Sequence, residues 1–342
     1  MQREWKAELI EAGGRLEGDA IVDYGDRLAE VQAAAHGTVW SALTHMGIIR
    51  AAGPDAAAFL HSQFSNDVLN LGATSQLNAY CTAQGRMIAL FRVVRRDDAY
   101  LLLLPGAIQA AVQKRLALYV LRAKVQLAAV PEWAILGLSG PEAPQALAAA
   151  GLPAPAVPAA ATGGDVTVMA IPGRAPRYLL MGPESAVSAL PSRMPGVARV
   201  GACAWAWLEI QAGLPTIGAQ TGEAFVPQMT NLDLLSGIHF RKGCYPGQEI
   251  VARTHYLGRL KQRMYLASLP PGAPIPPPGA TLQAPNLPGQ PAGTVVDAQI
   301  GPDGGVDLLA VIQISSHDEG AVLWQDLPLT FRDLPYPLAA SC

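Results

Sequence analysis

A run of eight residues, 242–249, combines residue types that neither a core strand nor an ordinary surface loop requires. It reads Lys-Gly-Cys-Tyr-Pro-Gly-Gln-Glu, and Arg253 follows four residues after its end. The thiolate is the nucleophilic form of cysteine, and a neighbouring cation favours it. The spacing therefore predicts a reactive thiol at Cys244, beside Lys242 and Arg253. The alternative is a glycine-rich turn around an inert cysteine, because free cysteine is among the most buried residue types.

The segments that must position this octet predict an α+β protein. Two strands, 79–82 and 87–94, are expected to meet at the turn 84–86, and an amphipathic helix follows over 106–121. A further helix is expected over 201–212. Strands, hairpins and helices in this mixed order favour an α+β fold over a doubly wound sheet.

The chain is long enough for two or three compact units. We expect 1–130 together with 201–257 to form one α+β domain, 131–200 a second α+β domain, and 258–342 a small antiparallel β-barrel. The barrel is inferred from short apolar segments separated by proline-rich turns at regular spacing. These segments are 262–267, 293–298, 307–314 and 329–332.

Composition narrows the classes of function. Of 342 residues, 50% are hydrophobic and 15% are charged, and the formal net charge is −3 with a pI near 6.1. No overall field favours nucleic acid or an anionic membrane, so we expect neither as a direct partner. The four cysteines are widely spaced, which predicts no metal site and no disulfide scaffold. With no signal-peptide pattern and no apolar run of about 18 residues, the expected location is the cytoplasm.

The octet resembles the hallmark of the YgfZ-type folate-binding proteins, which are related to the aminomethyltransferase, or T protein, of the glycine cleavage system. Similar segments stand upstream at 225–232 and 237–240, and in the N-terminal half at 64–68 and 84–86. The resemblance covers roughly residues 40–340. It implies a three-domain disc with a central folate site.

The resemblance also implies that tetrahydrofolate or a one-carbon derivative is the cofactor. It places a folate-contacting tryptophan at Trp205, although from the pattern alone a tryptophan in an amphipathic helix usually lies in the core. A second tryptophan of such relatives is replaced by Met46, which covers a ring face less rigidly. Their pterin-binding glutamate is replaced by Gln211, which keeps hydrogen-bonding groups but loses the charge. The other expected folate contacts are Asn66, Asp67, Tyr245, Gln248, Glu249 and Arg253.

One departure from the T protein argues against aminomethyl transfer. The acidic pair that T proteins carry after the glycine-rich turn is absent here, where the segment includes Ala89 and Leu90. Loss of a positioned acid or base typically costs about 10²–10⁴ in rate. We therefore expect an accessory folate-binding protein whose reactive group is Cys244, assisted by Lys242.

The role that the resemblance implies is support of iron–sulfur enzymes, including the one that thiomethylates tRNA. Folate and, transiently, iron–sulfur proteins are then the expected partners. One cysteine cannot supply the four thiolates of a cluster, so Cys244 would carry an adduct or meet a partner's cluster. Three alternatives stay open: a folate-dependent one-carbon transferase, a cysteine hydrolase or acyltransferase using His239 or His255, and an interaction scaffold with a vestigial pocket.

Overall fold

The computed structural model describes residues 2–256, 258 and 260–338. Within them the α-helices are α1 (Gln2–Glu11), α2 (Arg27–His36), α3 (Ala56–Gln63), α4 (Gly106–Ala117), α5 (Ala143–Ala149), α6 (Glu184–Ser188), α7 (Ala202–Gln211), α8 (Gln248–Tyr256) and α9 (Ile314–Asp318). The strands are β1 (Arg15–Glu17), β2 (Ala20–Asp23), β3 (Val39–Ala42), β4 (Met46–Ala52), β5 (Ser75–Cys81), β6 (Met87–Arg96), β7 (Ala99–Pro105), β8 (Gln126–Ala129), β9 (Trp133–Ser139), β10 (Ala160–Gly163), β11 (Val166–Ile171), β12 (Arg177–Pro183), β13 (Ala198–Arg199), β14 (Gln262–Leu269), β15 (Thr281–Leu282), β16 (Gly293–Ile300), β17 (Val306–Gln313), β18 (Leu323–Trp324), β19 (Leu327–Pro328) and β20 (Thr330–Arg332). Short 3-10 helices lie at Pro191–Arg193 and Pro227–Thr230. Among the helices of the described ranges, none has the length and apolar character that a membrane span requires.

The first large sheet has five antiparallel strands in the order β5-β6-β7-β4-β8, and it contains the predicted hairpin as β5 and β6. β7 carries four consecutive leucines, and all four are buried. Such a run has no polar alternation because both faces of the sheet are covered. Leu102 and Leu104 pack with α3 and α4, whereas Leu101 and Leu103 pack on the opposite face with α7.

The second sheet has six strands in the order β10-β11-β12-β9-β3-β13 and is antiparallel except between β3 and β13. One of its strands, β3, comes from the N-terminal part of the chain. Trp5, Leu9 and Ile21 pack in one cluster with Leu136 and Leu180 of this sheet. These N-terminal residues therefore pack against the second sheet, whereas α2 packs on α7. The predicted division of the chain into domains stays a prediction.

The C-terminal sheet has five antiparallel strands in the order β15-β16-β17-β14-β20. The four predicted strands correspond to β14, β16, β17 and β20, which confirms an antiparallel unit near the C-terminus. A bulge interrupts the pairing of β16 with β17, because Val295 lies opposite Ala310 and Asp297 lies opposite Leu309. Val296 is thus an extra residue in β16. The three sheets with their helices make a mixed α+β fold, as predicted.

Helix α7 lies where these sheets meet. It contacts β2, β3, β16 and β17, and seven of its ten residues are buried. A helix that is apolar on nearly all sides is typically buried in the interior of the protein. Gly201 precedes it, and a Cβ there would lie 2.3 Å from the carbonyl oxygen of Val22. The helix predicted over 201–212 is confirmed. The absence of a side chain at Gly201 allows the first turn of this helix to approach β2.

The octet packs backbone against backbone on the turn between β5 and β6. Gly247 and Gly85 both have positive φ, +81° and +74°. A Cβ at Gly247 would lie 2.5 Å from the carbonyl oxygen of Thr82 and 2.6 Å from the Cα of Gly85. Glycine alone tolerates both this φ and this approach at little cost. Helix α8 begins at the next residue, so the contact also fixes where that helix starts.

Substitution of Gly247 tests this contact. Gly272 is the matched control, because it has the same φ of +81° and a Cβ there would meet no atom within 4 Å. We expect Gly247→Ala to lower the free energy of unfolding by about 1–3 kcal/mol more than Gly272→Ala does, since only the first adds a steric clash to the strained φ. Urea unfolding measures both variants. Equal losses would contradict a tight contact between the octet and the hairpin.

Candidate functional site

A cavity of about 330 Å³ opens between α7, β4, β6 and β16. Trp205, Met46 and Leu90 contribute to its apolar wall. The indole of Trp205 is seated against Gly137 of β9, where a Cβ would lie 2.5 Å from the ring. The guanidinium of Arg177 lies 4.7 Å from the centre of the same ring. The structure thus brings together the two residues, Trp205 and Met46, that were predicted to cover a flat ligand.

Three charged residues that the sequence analysis did not single out also line this cavity. They are Arg92 of β6, Glu209 of α7 and Asp297 of β16. Glu209 forms an ion pair with Arg177 at 2.7 Å. Burial lowers the pKa of Arg92 to about 10 and raises the pKa of Asp297 to about 7. The sequence signal for Arg92 and Asp297 was a charge inside an otherwise apolar strand, which a well-packed core does not require.

A second, more open cavity of about 1010 Å³ adjoins the first at Leu77 and Arg92, which line both. Arg174 lies along its wall. Asn66, a predicted folate contact, also lies here, and its amide donates to the carbonyl oxygens of Leu77 and Ser236 at 3.0 and 2.7 Å. Three arginines, Arg92, Arg174 and Arg177, therefore border the space that adjoins the Trp205 cavity.

Gln211 points away from both cavities. Its amide nitrogen donates to Oδ2 of Asp307 at 2.8 Å, and its amide oxygen accepts from Arg332 at 3.3 Å. Trp207, on the same side of α7, donates to the same carboxylate oxygen at 2.8 Å. Glu209 occupies the position that faces the cavity instead. Gln211 joins α7 to the C-terminal sheet, and its contact with folate stays a prediction.

Lys242 anchors the octet to the end of α3. Its ammonium donates to the backbone carbonyl oxygens of His61 and Phe64 and lies 5.0 Å from the centre of the Tyr245 ring. The last carbonyls of a helix have no partner within it, and a cation there also suits the helix dipole. Burial lowers the pKa of Lys242 to about 8. The cation predicted to assist Cys244 is thus engaged with the helix, and its effect on the thiol stays a prediction.

Cys244 is exposed, and a histidine–aspartate pair lies beside the octet. Nδ1 of His61 is 3.1 Å from Oδ1 of Asp67. Nε2 of His61 lies 3.7 Å from the position that a Cβ on Gly243 would take. His255, one of the two histidines considered from the sequence, stacks instead on a phenyl ring at 3.8 Å between ring centres. His61 was missed because it lies 183 positions earlier in the chain.

The remaining predicted contacts lie at the start and along the surface of α8. The N–H of Gln248 donates to the carbonyl oxygen of Tyr245 at 3.1 Å, and the Tyr245 ring is buried. Glu249 and Arg253 are exposed. The predicted site residues other than Gln211 therefore fall into two places: Trp205, Met46 and Asn66 at the cavities, and the octet with Asp67 and α8 at the surface.

The fold defines the class to which this molecule belongs. Residues 24–170 match the family described as GCVT N-terminal domain. The chain is also similar to the crystal structure of glycine cleavage system aminomethyltransferase T from Bartonella henselae, with a TM-score of 0.74 over 96% of both chains at 18% identity. The protein has the T-protein fold.

Proteins named tRNA-modifying protein YgfZ are similar in sequence. The identity is 36% with that of Klebsiella pneumoniae (strain 342), over 63% of this chain and 67% of the relative. It is 32% with that of Edwardsiella ictaluri, over 84% and 89%, and 31% with that of Colwellia psychrerythraea, over 65% and 69%. The chain belongs to the YgfZ family, which confirms the resemblance seen in the octet.

The rates of alkylation near neutral pH should differ among the cysteines. Burial raises the pKa of Cys81 to about 12 and that of Cys203 to about 11, whereas Cys244 is exposed. We expect iodoacetamide to modify Cys244 at least about tenfold faster than the other two, because the thiolate must form and be reached. Peptide mass spectrometry measures the rates; Cys342 lies outside the described residues and is quantified separately. Similar rates at Cys203 and Cys244 would contradict a reactive octet.

Proposed function

We propose that the protein binds tetrahydrofolate or a one-carbon derivative of it in the cavity beside Trp205. The observation that carries this proposal is an indole ring in the wall of a cavity of about 330 Å³, in a chain with the T-protein fold. A flat pterin would stack on the indole, and Met46 would cover part of the same ligand. Apolar walls with a few charged groups are typical of sites for small ligands.

The adjoining cavity suits the rest of such a ligand. Arg174, in the wall of this cavity, offers a guanidinium group to an anionic glutamate tail. Stacking and a few polar contacts on a preformed cavity favour micromolar affinity, on the order of −8 kcal/mol. A reduced folate supplies a carrier for one-carbon groups, and the residues of this chain would hold and orient its ring. Leu90 lines the cavity on β6 without a carboxylate, so aminomethyl transfer is not the proposed activity.

The proposed role of the octet is support of iron–sulfur enzymes, including one that modifies tRNA. The relatives are named tRNA-modifying proteins, and Cys244 is exposed on a loop that Lys242 and Gly247 hold in place. Such a thiol could form a transient adduct or meet a partner's cluster. Because the net charge is −3, contact with tRNA would be indirect, through the enzyme that modifies it.

A cysteine hydrolase or acyltransferase is the second candidate, favoured by the position of His61. Nδ1 of this histidine lies 3.1 Å from Oδ1 of Asp67, and Nε2 lies on the side of Gly243 in the octet. Burial, followed by the charge of Lys242, lowers the pKa of His61 and so favours the neutral imidazole that a general base requires. Thioester turnover that disappears in His61→Asn would favour this candidate over the first.

Replacement of Trp205 tests the folate site. Trp205→Phe should weaken binding of 5-formyltetrahydrofolate by about 0.5–1.5 kcal/mol, because phenylalanine fills the core but offers a smaller ring for stacking. Trp324→Phe is the matched control, since Trp324 is similarly buried but packs in the core of the C-terminal sheet rather than in the wall of the cavity. Isothermal titration calorimetry measures the affinities. If both variants bind as tightly as the wild type, the pterin lies elsewhere.

Replacement of Cys244 tests the octet in cells. Cys244→Ser changes one exposed atom, so the melting temperature and folate affinity should stay at wild-type values. Cells that depend on the variant should lose iron–sulfur enzyme activity under oxidative stress, because the thiolate is gone. Cys342→Ser removes a different thiol and serves as the control for thiol loss in general. Full enzyme activity with Cys244→Ser would mean that the octet has a structural role only.

A further inference from the structure

The bulge in β16 decides where the side chain of Asp297 points. In a regular strand, Val295 and Asp297 would share a face, because side chains alternate. Val295 and Ala298 instead pack together in the interior core of the C-terminal sheet, and Val296 packs on the opposite face with Ile210 of α7. The extra residue therefore transfers Asp297 from that apolar core to the side of the sheet that borders the Trp205 cavity.

Two charged side chains of this cavity have no ion-pair partner among the described residues. The carboxylate of Asp297 accepts the N–H of Ala298 at 2.8 Å and forms no ion pair. The guanidinium of Arg92, on β6, lines both cavities and forms no side-chain hydrogen bond or ion pair with the described residues. Glu209 is already paired with Arg177. Both residues are half-buried, and charged groups that line a cavity without a protein partner are typical of sites where a ligand supplies the partner.

We propose that Asp297 and Arg92 recognise the ligand of this cavity, with the Asp297 carboxylate accepting N–H groups from the edge of a flat heteroaromatic ring and the Arg92 guanidinium donating to an oxygen of the same ligand. The 2-amino-4-oxo edge of a pterin carries both kinds of group. This inference rests on the proposed function, in which a reduced folate occupies the cavity. It assigns two specificity-determining residues from different sheets, in place of the pterin-binding glutamate that is Gln211 here.

The assignment makes ligand affinity depend on pH. Burial and, to a lesser extent, Glu209 raise the pKa of Asp297 to about 7, against the effect of the Ala298 N–H. Three other titratable groups of this cavity, His45, Cys203 and Arg92, keep one state between about pH 6 and 8. The pKa of His45, before β4, lies at about 4; that of Cys203, on α7, at about 11; and that of Arg92 at about 10.

The sign of the effect follows from the state of the carboxylate. As pH rises through about 7, Asp297 ionises and gains full capacity to accept N–H groups. The Kd should therefore fall by about tenfold between about pH 6 and about pH 8, the change in the ionised fraction of a group with this pKa. A ligand held by Trp205 and Met46 alone would bind equally well at both ends of this range.

Calorimetric titration of the full chain with 5-formyltetrahydrofolate at about pH 6, 7 and 8 tests the inference. Asp297→Asn should bind about tenfold more weakly than the wild type at pH 8 and show no pH dependence. Asp326→Asn is the matched control, because it makes the same change at an exposed turn of the C-terminal unit. Arg92→Met should weaken binding by about tenfold at every pH, since a charge-assisted donor is lost.

The outcomes separate this inference from the function on which it rests. Wild-type binding that does not change from about pH 6 to 8 would overturn the role of Asp297, even if the variant failed to fold. If Asp297→Asn binds with the affinity and pH profile of the wild type, the role of Asp297 is also overturned, while the proposed folate site stands. No binding by the wild type at any pH would overturn the proposed function and this inference together.

Discussion

The buried carboxylate of Asp307 determines how the molecule is assembled around α7. Its Oδ2 accepts from Trp207 and Gln211, each at 2.8 Å, and its Oδ1 accepts from Ser268 and Arg332, each at 2.7 Å. A buried carboxylate is stable only where its oxygens are satisfied in this way, because loss of the donors would leave an uncompensated charge. These four bonds connect α7 with β14, β17 and β20. They join the helix at the centre of the fold to the C-terminal sheet.

The same bonds set the rotation of α7 about its axis. Trp207 and Gln211 are four residues apart and share the face that Asp307 holds. Trp205 and Glu209 are also four residues apart, and each precedes its counterpart in the first pair by two positions. Because each residue of an α-helix turns by about 100°, they lie on about the opposite side of the helix. With one face fixed on the C-terminal sheet, the other must face the cavity. A contact outside the ligand site thus decides which residues reach it.

The β5–β6 hairpin connects the two functional regions of the molecule. Strand β6 gives Leu90 and Arg92 to the cavity, and the turn before it holds Gly85 against Gly247 of the octet. The lining of the cavity is mainly apolar, which suits a flat ligand, whereas Cys244 is exposed, as contact with a protein partner requires. The hairpin allows one fold to satisfy both requirements, because its strand lies in the core and its turn lies beneath the octet.

The sequence by itself determined the local structure and the family. The β5–β6 hairpin, helix α7 and the C-terminal strands followed from local patterns, and the octet carried the resemblance to YgfZ proteins. Tertiary structure alone decided which groups meet. Lys242 caps a helix that lies 181 residues away, and a single extra residue in β16 turns Asp297 toward the cavity. A local pattern can indicate that a charge is buried, but its partner depends on strand register and on contacts between distant segments, which no local pattern encodes.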